Sequence, residues 1–147
     1  MDKHVIRDWP KAPAQWPEAL RARFEARAGN GEVGTRLVSQ TERVRVWTLT
    51  LKPGESIDFH THVLDYFWTC LTGGSARSHY GDGRIVDVTY EPGETRHLGF
   101  KAGEFMTHDL ENRGTADMVF TTVEFLDSPN APLPLAPSVL DGLTQAA

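Results

Sequence analysis

Turn signals recur through the middle of this chain at intervals too short for ordinary helices. Pro53-Gly54, Gly73-Gly74, Gly81-Asp82-Gly83, Pro92-Gly93, Ala102-Gly103 and Arg113-Gly114 cut the sequence into strand-length pieces. Between the breaks the hydropathy period is two. Val44, Val46, Thr48 and Thr50 alternate with Arg45, Trp47, Leu49 and Leu51, as expected of a strand with two distinct faces. Further strand-like stretches follow at 57–60, 65–72, 76–80, 84–90, 94–100, 105–111 and 118–125. Many short strands at even spacing predict an all-β fold, either a sandwich or a barrel.

The flanks read differently. Residues 1–34 form an N-terminal arm with one short helix over 17–28, where Pro17 opens a run of good helix formers and Gly29-Asn30-Gly31 stops it. Residues 35–127 form the β-domain. Residues 128–147 form a tail with four prolines between Ser128 and Pro137, which suits an extended arm or a dimer-contact strand. A chain of 147 residues is enough for one domain with its own core.

Charge and cysteine content narrow the function. A net charge of −5 with no Lys/Arg block argues against nucleic acid as a partner. The longest apolar runs fall far short of a membrane span, and the charged start Met1-Asp2-Lys3-His4 does not read as a signal peptide. One cysteine, Cys70, excludes an internal disulfide. Together these features predict a cytoplasmic protein.

The chemistry concentrates in Gly54-Glu55-Ser56-Ile57-Asp58-Phe59-His60-Thr61-His62-Val63-Leu64-Asp65-Tyr66. Strand residues two apart share a face, about 6.5–7 Å from one another, so His60 and His62 can aim two imidazoles at one point. Asp65 can complete or orient such a site, and His108 supplies a third imidazole from a later strand. Tyr66 can point into the cavity with a phenol for hydrogen bonding or proton transfer. His97 can line the pocket as an acid or base. Trp47, Phe59, Phe67, Trp68, Phe105 and Phe120 read as core.

These residues resemble the cupin superfamily, in particular its small bacterial single-domain members. Gly54, His60, His62 and Gly73 match the spacing of the first cupin motif, and His108 and Asn112 match the end of the second; the resemblance covers about residues 43–125. Two departures stand out. The motif's Glu position falls on Tyr66, with Asp65 beside it. In the second motif four residues separate Gly103 from His108 instead of two, and the usual proline falls on Lys101. The resemblance implies a cupin-type β-barrel (a double-stranded β-helix or jelly roll), often a homodimer, holding a divalent metal such as Fe, Zn, Mn or Ni. His60, His62, His108 and Asp65 are the implied ligands, with Tyr66 and His97 as candidate catalytic groups. The expected function is a metal-dependent enzyme acting on a small, oxygen-bearing, chelating molecule by Lewis-acid or O2 chemistry. The alternative is a non-catalytic small-molecule-binding or sensor cupin.

Overall fold

The computed structural model describes residues 2–144. Its elements, in chain order, are α1 (Glu18–Ala26), β1 (Arg36–Gln40), β2 (Val44–Leu51), β3 (Ser56–His62), β4 (Tyr66–Cys70), β5 (Gly74–His79), β6 (Ile85–Tyr90), β7 (Glu94–Leu98), β8 (Met106–Asn112), β9 (Met118–Phe125) and α2 (Pro137–Thr144). The strands form two antiparallel sheets, a five-stranded one in the order β1-β2-β9-β4-β7 and a four-stranded one in the order β3-β8-β5-β6. The predicted all-β architecture is therefore present, as a sandwich whose two sheets are not joined into a closed barrel.

The main core lies between the sheets. Leu49, Leu51, Cys70, Met118 and Phe120 of the five-stranded sheet meet Ile57, Ala76 and Leu110 of the other. Cys70 is fully buried here and behaves as a small hydrophobe. Gly73 makes the turn out of β4 possible. Its φ is +71°, and an added Cβ would lie 2.8 Å from the carbonyl oxygen of Tyr90.

One irregularity decides what β3 presents to the core. The register with β8 runs Ile57 to Leu110 and then His60 to His108, so β3 carries one extra residue between them. Strict alternation would give Ile57 and Phe59 the same face. The bulge instead lets Ile57 and His60 both point inward, while Phe59 turns outward to pack on Trp16 and Phe24 under α1.

The flanking segments pack on this frame. Buried Asp109 accepts hydrogen bonds from Arg23 Nη2 at 2.8 Å and from the His79 backbone N–H at 2.7 Å, which ties α1 to the four-stranded sheet. The proline-rich tail is extended only as far as Ala136. Residues 137–144 then form α2, where the proline content predicts a continued arm; Leu135, Val139 and Leu143 cover Val33, Leu37 and Trp47. Pro137 opens the helix, where a missing N–H costs nothing. The last three residues of the predicted tail, and Met1 of the predicted arm, lie outside the described residues.

Candidate metal centre

His60 and His62 on β3 and His108 on β8 turn inward together, and their ligand-capable nitrogens lie within 4.8 Å of one another. His60 and His108 are directly paired across the ladder, with ring centroids 4.6 Å apart. His62 Nε2 stands 3.2 Å from His108 Nε2. Two nitrogens bound to one ion at about 2.0–2.1 Å would be separated by about 2.9–3.4 Å, so this spacing already fits a shared ion. His60 Nδ1–H donates to the Asp58 carbonyl at 2.9 Å, which assigns the proton to Nδ1 and leaves Nε2 as a lone pair for the centre. The Nδ1 atoms of His62 and His108 are buried with no partner.

Burial sets the charge of this group. It lowers His60 to about 4, and it lowers His62 and His108 well below the ordinary imidazole value. The neighbouring imidazoles add to the effect, since each disfavours a second positive charge close by. All three are neutral near pH 7, the form in which imidazole binds a metal. Three neutral nitrogens in apolar surroundings suit a divalent transition ion better than Ca or Mg, which prefer oxygen. The residues present therefore fit the divalent metal that the resemblance implies.

The cluster opens onto a cavity with about 50 Å³ of space for a water-sized sphere. Val33, Leu49, Trp68, Leu110 and Phe120 make its walls apolar, while Tyr66, Tyr90 and Thr122 bring hydroxyl-bearing side chains. Tyr66 lies face to face with His62, with centroids 4.1 Å apart and planes 7° apart. Burial, reinforced by the neighbouring acidic groups, pushes its phenol well above the ordinary value, so it carries its proton at any physiological pH. A larger groove of about 240 Å³ runs past Pro10, Phe24 and Tyr80, but it gathers no comparable cluster among the described residues.

Two of the residues picked out by sequence are placed elsewhere. Asp65 does not join the imidazoles. It precedes β4, and its Oδ1 accepts the Phe100 backbone N–H at 3.0 Å, while Tyr66 takes the inward position. Its influence on the site is indirect, because the ring of Phe100 stacks on Tyr66 at 6.3 Å. His97 pairs with Phe67 on the outer face of the five-stranded sheet and is exposed, since alternation sends Leu98 and Arg96 inward on either side of it. Phe67, expected in the core, is on that same outer face.

Glu124 is the residue that sequence reasoning missed. It is buried beside the cavity, accepts a hydrogen bond from Trp47 Nε1 at 2.7 Å, and is raised to about 7 by burial, against the pull of Trp47 and Arg45. The signal was present. Alternation through β9 places Glu124 on the same face as Met118, Phe120 and Thr122. Asn112, from the second motif, is structural. Its side chain bonds the carbonyls of Leu51 and Ala116 and the Gly114 N–H, and so closes the β8–β9 turn.

Two packed antiparallel sheets with a histidine cluster in their interior define a cupin fold, the double-stranded β-helix. Solved structures agree. A cupin domain from Bordetella pertussis Tohama I superimposes with a TM-score of 0.53 at 22% identity, over 60% of this chain and 88% of that one. An uncharacterized conserved protein with a double-stranded β-helix domain from Klebsiella pneumoniae superimposes with a TM-score of 0.50 at 27% identity, over 68% of this chain and 75% of that one. No protein-family model and no curated protein matches the chain.

Proposed function

We propose that this protein is a metal-dependent cupin enzyme that binds a divalent ion at His60, His62 and His108 and acts on a small oxygen-bearing molecule. The observation that carries the reading is the convergence of three neutral imidazoles, His60 and His62 buried and His108 half-buried, beside a cavity. An ion bound there would keep coordination positions open and supply Lewis acidity or a site for O2. The chain's own groups do the rest. The apolar walls exclude water, which strengthens every polar contact inside. Tyr66 holds a proton on its phenol next to His62 and can donate it in a hydrogen bond to a bound oxygen. Asp65 positions Tyr66 through Phe100.

Metal analysis of protein purified without a histidine tag tests the reading, with a mass-spectrometric search for a co-purified ligand. About one ion per chain is expected, and its loss in His60→Ala and His62→Ala. Chains that hold no metal in either form would refute it. A binding module without turnover is the second reading; Asp65 and His97 both stand away from the cluster, leaving the phenols of Tyr66 and Tyr80 as the protonated groups packed on it.

A homodimer belongs to the same proposal. The outward face of the five-stranded sheet is formed by Val44, Val46, Val119, Val123, Phe67 and Phe125 with a row of threonines, and no carboxylate interrupts it. At about 4.8 Å per strand and 3.4 Å per residue it spans about 500 Å² in plan, which side-chain relief raises towards the roughly 800 Å² per partner of a standard interface. Arg36 at the β1 edge is the formal charge on this face among the described residues, so a second copy meets little like charge there, although each chain carries −5 overall. Among the described residues no helix is long and apolar enough to cross a membrane. The reading places the protein in the cytoplasm, in keeping with Cys70 as a buried free thiol.

A further inference from the structure

We propose that Arg96 recognises an anionic group, foremost a carboxylate, on the molecule that enters the histidine cavity. The site would then take small organic acids carrying an oxygen donor next to the charge. This rests on the metal-site reading above and names its substrate class.

Arg96 sits on β7, the edge strand of its sheet, directly paired with Trp68. Phe67, Thr69, Thr95 and His97 face outward on these two strands, so Arg96 shares the inward side with Tyr66 and Trp68, both cavity walls. Opposite β7 runs β6, the edge strand of the other sheet, and no ladder joins the two. The guanidinium acts electrostatically on two phenols that bear on the site. Tyr90 lines the cavity, and Tyr80 packs its ring on His108 at 5.2 Å. Arg96 thus stands at the β7 edge of the sandwich, on the inward side and next to the cavity wall formed by Trp68.

Its charge is uncommitted. Arg23, Arg27, Arg77, Arg84 and Arg113 each pair with a carboxylate, whereas Arg96 forms no ion pair among the described residues and is exposed. Arg45 also lies on the inward side, but its donors go to Gln40 Oε1 and the Leu133 carbonyl. The nearest acid on the same side of β7, Glu94, accepts the Glu91 backbone N–H at 3.0 Å. No carboxylate lines the cavity, and Glu124 beside it is raised to about 7 by burial, which reduces its repulsion of an anion near neutral pH. A guanidinium offers two parallel N–H donors that match a carboxylate, and beside a dry cavity such a pair is strongest. The small volume limits the part of the ligand near the imidazoles to a few heavy atoms, leaving the acid group to reach outward.

Lactate and lactamide differ in charge and hardly in shape, and serve as probes. Their binding to zinc-loaded wild type, Arg96→Gln and Arg96→Lys is measured by isothermal titration calorimetry, with zinc content determined for each protein. Lactate is expected to bind wild type at least tenfold tighter than lactamide. Arg96→Gln should weaken lactate at least tenfold, leave lactamide and zinc content unchanged, and Arg96→Lys should fall between. Lactate affinity unaltered in Arg96→Gln would assign any preference for the acid to the metal and overturn the proposal. So would equal binding of both probes, or no binding of lactate, to zinc-loaded wild type. Failure of wild type to hold zinc would instead strike the metal-site reading, and the zinc measurement separates the two.

Discussion

The two sheets of this protein use the same strand alternation for opposite ends. The four-stranded sheet turns imidazoles inward from its β3–β8 ladder and charge outward. Its outer side carries the Arg77–Asp87 and Arg113–Glu111 pairs, the Asp109 network, and α1 docked through Trp16, Phe24 and Phe59. The five-stranded sheet is apolar inward over its centre, with Glu124 buried there and Arg45, Glu94 and Arg96 towards its margins, and is almost uncharged outward. A polar cluster can stay buried only where the facing wall is apolar and rigid, since water entering would restore the charged forms that burial suppresses. One sheet therefore holds the donors and the other keeps them dry. The almost uncharged outer face of the second sheet is consistent with a different role, contact with another copy.

The largest effect that tests this division is on metal. His62→Ala should weaken metal binding at least a hundredfold while the protein still unfolds cooperatively, because the core of Leu49, Met118 and Phe120 is untouched. Calorimetric metal titration alongside a thermal melt checks both halves. Retained affinity would mean that the sheets do not divide the work in this way.

Phenylalanines on the two outer faces give the next contrast. Phe59→Ala removes a fully buried ring beneath α1 and should cost about 3–5 kcal/mol in denaturant unfolding. Phe67→Ala, on the bare face, should cost far less in the isolated chain. Val123→Asp, at the centre of that face, should convert a dimer into a monomer in sedimentation experiments. A wild-type chain that is already monomeric would remove the dimer from the reading.

Glu124 provides the pH test. Its folded value is raised to about 7 from 4.5, so between those values the folded state holds a proton that the unfolded state has lost. Stability from this group thus falls as pH rises from about 4.5 to 7, by about 3 kcal/mol in all, and is level above that. Glu124→Gln should remove this slope. His60 works in the other direction, since a folded value lowered to about 4 takes stability away as pH falls below 6.5. Comparing the two proteins across pH 4.5–7 isolates the Glu124 part, and identical slopes would contradict it. The smallest effect belongs to the exposed Arg77–Asp87 pair, where Arg77→Ala should leave the melting midpoint within measurement scatter.

Much of this was written in the sequence. Glycine and proline breaks with a period of two determine the all-β class. The spacing of His60, His62 and Gly73 from Gly54 singles out the strand with two imidazoles, and the run around Cys70 marks a buried thiol. These are local properties, set within a few residues by backbone sterics and side-chain alternation. Which side chains meet was decided only by tertiary structure. Alternation alone says that one of Asp65 and Tyr66 points inward, but not which; the fold gave the inward place to Tyr66 and spent Asp65 on the Phe100 N–H. His97 and Phe67 carry no mark of facing outward, because an edge pairing with Leu98 and Arg96 inward is a choice between sheet faces. The helix at 137–144 owes its place to the apolar patch of Val33, Leu37 and Trp47, which Val139 and Leu143 cover. The bulge in β3 depends on its register against β8, some fifty residues away. Without it, Ile57 and the two histidines could not all face the core, since a strict period of two assigns residues 57 and 60 to opposite sides.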